Sequence, residues 1–258
     1  MQLHCLGTTG YHPSPSRHTA CYYLPEASIV LDAGTAVFRL IQHLRREPKK
    51  SLDILLSHAH LDHTVGLTFL IDAMAVTDLE EVRIHGEREK IDAVRTHLYH
   101  HLLFPVPPEF QFLPFDSSSG TRQIGDTRIE WFPVEHPGGA VGYVLDLPED
   151  SSGTRKKLSY VTDTVSRVEN NYLDLIRGSD LLLHECYFAD RLEALAIKTG
   201  HSWLGAVTEI VRKADCGQTL LIHINPLSEI LGEEVDLPSE CRETLRMSVA
   251  VDEQVVEF

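Results

Sequence analysis

The chain is poor in the residues that would cross-link it, carry it through a membrane or grip a polyanion. It has five cysteines in 258 residues (Cys5, Cys21, Cys186, Cys216, Cys241), an odd number with no CxxC spacing. That excludes a disulfide framework or a thiolate zinc site, and buried free thiols are expected. No apolar run approaches the roughly 20 residues a helical span requires, so no membrane partner is expected. The opening Met1-Gln2-Leu3-His4-Cys5 lacks a basic start followed by an apolar block, which points to the cytoplasm. Lys and Arg number 23 against 38 Asp and Glu, a formal charge of -15. Such a surface repels a phosphate backbone, so tRNA or another nucleic acid is a disfavoured partner. Linker-like sequence is scarce as well: Ser117-Ser118-Ser119-Gly120 is short and precedes strand-like sequence, so one domain over residues 1–258 is expected. A homodimer is an allowed assembly.

What is present is an alternation of short apolar runs with helical patterns. Strands are predicted at Leu3 to Leu6, Ala20 to Leu24, Ile29 to Leu31, Leu52 to Leu56, Arg128 to Val134, Val141 to Leu147, Leu158 to Val161, Leu181 to Leu183 and Thr219 to Ile224. Helical periodicity covers about 35–46, 66–76, 87–102, 168–176 and 202–214. This is an α/β (α+β) pattern of stacked sheets with helices outside. Residues 104–112, Phe-Pro-Val-Pro-Pro-Glu-Phe-Gln-Phe, read as a stiff loop extending to about 115 that walls a pocket or packs on a partner.

Several apolar strands give way to polar residues: Ser57-His58, Thr162-Asp163, His184-Glu185 and His223. In layered α/β folds sites form where strands end. The strongest signal is Ser57-His58-Ala59-His60-Leu61-Asp62-His63, four candidate metal ligands in six positions directly after Ile54-Leu55-Leu56. Alternate residues at an extended strand end share a face, so His58 and His60 can grip one ion, while a turn into a helix redirects Asp62 and His63 toward a second. A helix cap would need Asp62 alone. Other histidines among the fifteen, such as His97 and His101, read as surface residues of a helix.

This string resembles the HxHxDH loop of the metallo-β-lactamase superfamily, and the likeness spans nearly the whole chain. It implies an αββα four-layer sandwich and a dinuclear hydrolase. His136, in Val134-Glu135-His136-Pro137-Gly138-Gly139, matches the family's next histidine; alone in a Gly-rich loop it would be a turn residue. Asp163, in Tyr160-Val161-Thr162-Asp163, matches the bridging aspartate, and His223, in Leu220-Leu221-Ile222-His223, the last histidine. By resemblance, His58, His60 and His136 hold one ion, Asp62, His63 and His223 the other, and Asp163 bridges them. Two divalent ions per chain are implied, zinc first, with manganese or iron admitted by the same donors.

Two further strings are similar to the ribonuclease Z-like and cyclic phosphodiesterase branch. Leu183-His184-Glu185-Cys186 resembles its HEAT-type strand end and Gly200-His201-Ser202-Trp203 its HST motif, which implies that His201, oriented by Glu185, assists the leaving oxygen. Asp62, His201 and Glu185 are the expected catalytic residues, Asp62 being a ligand as well. The tail Val249 to Val256 resembles the branch's closing hairpin, with Glu253 where glycine is usual. A tRNA-clamping arm has no room between His136 and Asp163, where only Thr154-Arg155-Lys156-Lys157 is basic, and the usual serine and arginine are missing after His223. The expected activity is therefore hydrolysis of a small or cyclic phosphodiester through a metal-bridging hydroxide. The alternatives are a ribonuclease Z-like RNA endonuclease, a thiolester or lactam hydrolase, and a non-catalytic scaffold; the last would have lost ligands, and all seven are present.

Overall fold

Parallel strands buried on both faces need apolar residues at every position, and Leu181-Leu182-Leu183 and Leu220-Leu221-Ile222 have them. The computed structural model describes residues 1–106, 108–149, 153–167, 169–231 and 235–258, the side chain of Glu229 excepted. Its strands are β1 (Gln2–Gly7), β2 (Cys21–Leu24), β3 (Ile29–Leu31), β4 (Ser51–Leu55), β5 (Glu81–Glu87), β6 (Gln111–Phe115) and β7 (Gly120–Ile124). They continue as β8 (Thr127–Val134), β9 (Ala140–Glu149), β10 (Arg155–Val161), β11 (Leu181–Glu185), β12 (Gln218–Ile222), β13 (Met247–Val249) and β14 (Gln254–Glu257). One sheet has the order β14-β1-β2-β3-β4-β5-β6, the other β13-β12-β11-β10-β9-β8-β7.

The period of two along each strand divides the core into three slabs. Leu55, Leu181, Leu183, Leu220 and Ile222 point between the sheets, where they meet Tyr22, Tyr143 and Tyr160. Their neighbours point outward. Ile54 and Leu56 pack with Val37, Leu40 and Leu44 from the helix Val37–Arg46, whose apolar stripe has the i, i+3, i+7 spacing of one face. On the other side Leu182 and Leu221 meet Val207, Ile210, Val211 and Ala214 of the helix Leu204–Ala214. The result is the expected four layers, αββα. Cys5, Cys21, Cys186 and Cys241 are buried and Cys216 partly so, all as free thiols. Among the described residues no helix is long and apolar enough to cross a membrane.

Four local expectations are corrected. Residues 111–115 of the expected stiff loop form β6, parallel to β5, and Phe115 stacks on Trp131 with centroids 3.9 Å apart. Pro114 is tolerated because β6 is an edge strand, and Pro107 lies outside the described residues. The helix expected to reach residue 102 ends in a π turn, Val94–Leu98, where Tyr99 folds against Phe104 and Phe110. Of the helix expected over 168–176 one turn is helical, Leu173–Ile176, with Val168 outside the described residues. The closing segment is a crossover instead of a hairpin, since β13 pairs with β12 in one sheet and β14 with β1 in the other. Glu253 makes that corner with φ 63°, the left-handed conformation for which glycine is the usual residue.

Strands β3 to β6 run parallel, as do β10 to β13. The residues just past the carboxyl ends of β3, β4, β10, β11 and β12 therefore collect at one edge of the sandwich.

Candidate metal centre

The segment after β4 supplies His58 and then His60, the latter in extended backbone, and turns into a short helix, Leu61–Thr64, carrying Asp62 and His63. His136 comes from the β8–β9 connection, Asp163 follows β10 and His223 follows β12. Asp163 and His223 have φ of 40° and 52°. Left-handed backbone at residues other than glycine costs about 1–3 kcal/mol each and is held by the surrounding structure, here two strand ends that turn a side chain into the site.

These residues converge in two groups. Ligand atoms of His58, His60, His136 and Asp163 lie within 4.8 Å of one another, as do those of Asp62, His63 and His223. Asp163 faces both: Oδ2 is 3.7 Å from His58 Nε2 and 3.6 Å from His136 Nε2, whereas Oδ1 is 3.3 Å from Nε2 of both His63 and His223. Asp62 Oδ2 is 3.3 Å from the same two nitrogens. A carboxylate has two oxygens to share and imidazole one lone pair, so among these residues the shared position suits an acid.

The outer partners fix which ring nitrogen is bare. Asp32 accepts from the Ser57 backbone N–H, the Ser57 and Tyr160 hydroxyls, and His63 Nδ1 at 2.7 Å. With its own proton given to Asp32, the Ser57 hydroxyl accepts from His58 Nδ1 at 3.0 Å. His136 Nδ1 donates to the Gly200 carbonyl at 2.9 Å. Three imidazoles thus present lone pairs on Nε2 to the centre. His58 Nε2 is buried without a hydrogen-bond partner, and Nε2 of His63 faces Nε2 of His223 at 3.3 Å. Bare nitrogens and carboxylate oxygens aimed at common points are a donor set for cations, so these residues fit divalent metal ions.

Charge at the centre follows the same geometry. Burial, then the neighbouring His63 ring, pushes His58 well below the usual imidazole range. Burial opposes charge on His63 too, yet Asp163, Asp62 and Asp32 more than offset it, so His63 is raised. Protons and cations compete for these lone pairs, so divalent metal binding will weaken as pH falls, the raised His63 taking its proton first and His58 last, measurable by equilibrium dialysis.

Asp32 had no place in the expected site. The signal was there: an acid directly after Ile29-Val30-Leu31, the same strand-end pattern as Asp163. Its cue was weak because one acid after a strand is common. Asp32→Asn should keep the fold and lower metal affinity about 10- to 100-fold, the usual effect of losing a carboxylate behind a ligating histidine. Unchanged affinity would make Asp32 a packing residue only.

Beside the donors stand Glu185 and His201. Glu185, fully buried at the end of β11, accepts from His201 Nδ1 at 3.2 Å and from the backbone N–H groups of Ser202 and Thr164. His201 also stacks on Tyr187, with centroids 4.6 Å apart and planes at 18°. Burial disfavours charge on His201, but the Glu185 carboxylate, with Asp163 and Asp62 behind it, raises the ring to about 9. The ring is therefore a proton carrier at neutral pH, next to the centre but tied to a carboxylate. His97 and His101 are exposed, as expected.

The donors open into a cavity of about 710 Å³, lined also by Tyr11, Ala59, Leu61, Pro137 and Thr199. The Beta-lactamase superfamily domain model matches residues 27–224, a span that contains all seven donors. The chain belongs to the metallo-β-lactamase superfamily. Ribonuclease Z of Gemmatimonas aurantiaca is 26% identical over 85% of this chain and 84% of its own. The human tRNase Z, short form, superposes with a TM-score of 0.74 at 20% identity, covering 100% of this chain and 99% of that one. A diphosphatase from the PhnP family gives 0.70 at 18% identity, covering 100% and 97%. As a ribonuclease Z-like member of the metallo-β-lactamase superfamily, the protein is a metal-dependent hydrolase.

Proposed function

We propose that this hydrolase cleaves a small or cyclic phosphodiester, with His58, His60 and His136 holding one divalent ion, Asp62, His63 and His223 another, and Asp163 shared between them. Zinc suits this mixed set of imidazole and carboxylate, and manganese or iron is admitted by it. When bound, such a pair supplies an acidified water as nucleophile and neutralises charge on the phosphoryl oxygens. The observation that carries the reading is His201, an imidazole fixed by Glu185 at the rim of the donor cluster. An alkoxide leaving a phosphodiester needs a proton. His201 Nε2–H can give it, with Glu185 holding the ring by Nδ1. Glu185 also pins the backbone of Thr164 and Ser202, so the proton donor and the segment after Asp163 are set by one side chain.

The names of the curated relatives favour a second reading, RNA cleavage. The charge of -15 opposes it, and between His136 and Asp163 the chain is occupied by β9 and β10. A steady-state comparison of a cyclic nucleotide, bis(p-nitrophenyl) phosphate, a precursor tRNA, a thiolester and a chromogenic cephalosporin tests both. The small phosphodiesters should turn over fastest; rates at background for them would remove this reading.

The pH profile of kcat gives a further check. His201 donates only while protonated, so kcat for an alkyl phosphodiester should fall as pH rises. Cations at the centre offset the share contributed by Asp163 and Asp62, which makes about 9 the upper bound of that limb. Glu185→Gln should move the limb toward lower pH. An alkaline limb that stays in place would separate Glu185 from the proton donor.

A further inference from the structure

The loop after β1 lies directly on the donor cluster. Gly10 N–H donates to the Ile224 carbonyl at 3.1 Å, and a Cβ at Gly10 would sit 2.1 Å from the His223 ring. The next N–H, that of Tyr11, donates to Asp62 Oδ2 at 2.7 Å. On either side, the backbone N–H groups of Thr8 and His18 are both tied to the Asp252 carboxylate. A backbone held this firmly nonetheless carries an aromatic residue that is 76% exposed. Tyr11 also has φ 61°, a conformation that bulky side chains rarely adopt. The residue therefore lines the cavity at a conformational cost and gains little burial in return.

Charge narrows what that ring can meet. The described residues lining the cavity include no lysine or arginine, and Leu61 beside the donors is itself 66% exposed. A second phosphate would find among them no basic partner but His201, which Glu185 already holds, whereas an uncharged planar group would find Tyr11 and Leu61. Every nucleobase has a π-face, and an aromatic side chain at a site mouth holds it without reading its edge.

We infer that Tyr11 is a stacking platform for the base of a cyclic mononucleotide whose single phosphodiester is held at the donor cluster, which makes Tyr11 a specificity-determining residue. The inference rests on the phosphodiesterase reading above. A polymeric RNA would require a basic track leading away from the cavity, at odds with the overall charge.

The test compares 2′,3′-cyclic AMP with glycerol 1,2-cyclic phosphate, which has the same five-membered phosphodiester ring and no base. In Tyr11→Leu the KM for the nucleotide should rise about 5- to 150-fold, with kcat and both constants for the base-free substrate unchanged. Tyr11→Phe should restore the wild-type KM. Equilibrium dialysis of adenosine 3′-monophosphate, which carries the base and no phosphodiester to cleave, on the metal-loaded protein gives a readout apart from turnover, and its Kd should rise in Tyr11→Leu and return in Tyr11→Phe. If the wild type turns over neither substrate, the functional reading fails, and the dialysis still judges Tyr11. Equal changes for both substrates, or a Kd indifferent to Tyr11→Leu, would overturn the inference.

Discussion

Asp163→Ala should reduce metal content from about two ions per chain to one or fewer and lower phosphodiester turnover by roughly 10³-fold or more, the worth of the several kcal/mol a metal pair supplies. Asp163 sends one oxygen toward His58 and His136 and the other toward His63 and His223, so alanine removes a donor from both groups at once. Asp163→Asn is the sharper variant, since it keeps the shape and removes the charge. Because a ligand that binds only the native state stabilises it by mass action, the rise in Tm on adding zinc should be large for the wild type and small for both variants. Two tightly held ions in Asp163→Ala would sink the dinuclear assignment.

His201→Ala should keep both ions and lose about 10²- to 10⁴-fold in kcat toward an alkyl phosphodiester. The size of the loss should depend on the leaving group. p-Nitrophenolate departs without a proton, so bis(p-nitrophenyl) phosphate should be affected far less than a cyclic nucleotide. A purely structural role would slow both substrates alike. The metal count matters here for a second reason: His201 lies with Asp163 and His223 in a third group of potential ligands within 4.8 Å. Loss of an ion from His201→Ala would make it a ligand instead of a proton donor.

The residues brought together at the centre were legible where chemistry was concentrated in few positions. Four donors in the six residues after Ile54-Leu55-Leu56 cannot all serve a helix cap, and the structure places them on the strand end and helix start that the spacing implied. Asp163, Glu185 and His223 shared a simpler cue, a polar residue ending an apolar strand. Asp32 carries that cue too, but the partners that give it a role, Ser57, His63 and Tyr160, lie 25 to 128 residues away. Tyr11 and Tyr187 had no local pattern at all; what singles them out is proximity to the donors.

The chain's own order of residues determined its layers, since period-two burial in strands and i, i+3, i+7 stripes in helices are local consequences of backbone geometry. It likewise determined the type of chemistry, through the kinds of donor it collects at strand ends. Pairing and register were decided only in three dimensions. Nothing in Gln111–Phe115 says that β5 will receive it, and nothing in Val249 to Val256 says that its two strands will join different sheets. The sharing of Asp163 between two donor groups was decided there too, because a carboxylate's two oxygens acquire separate partners only when strands distant in sequence end at the same edge.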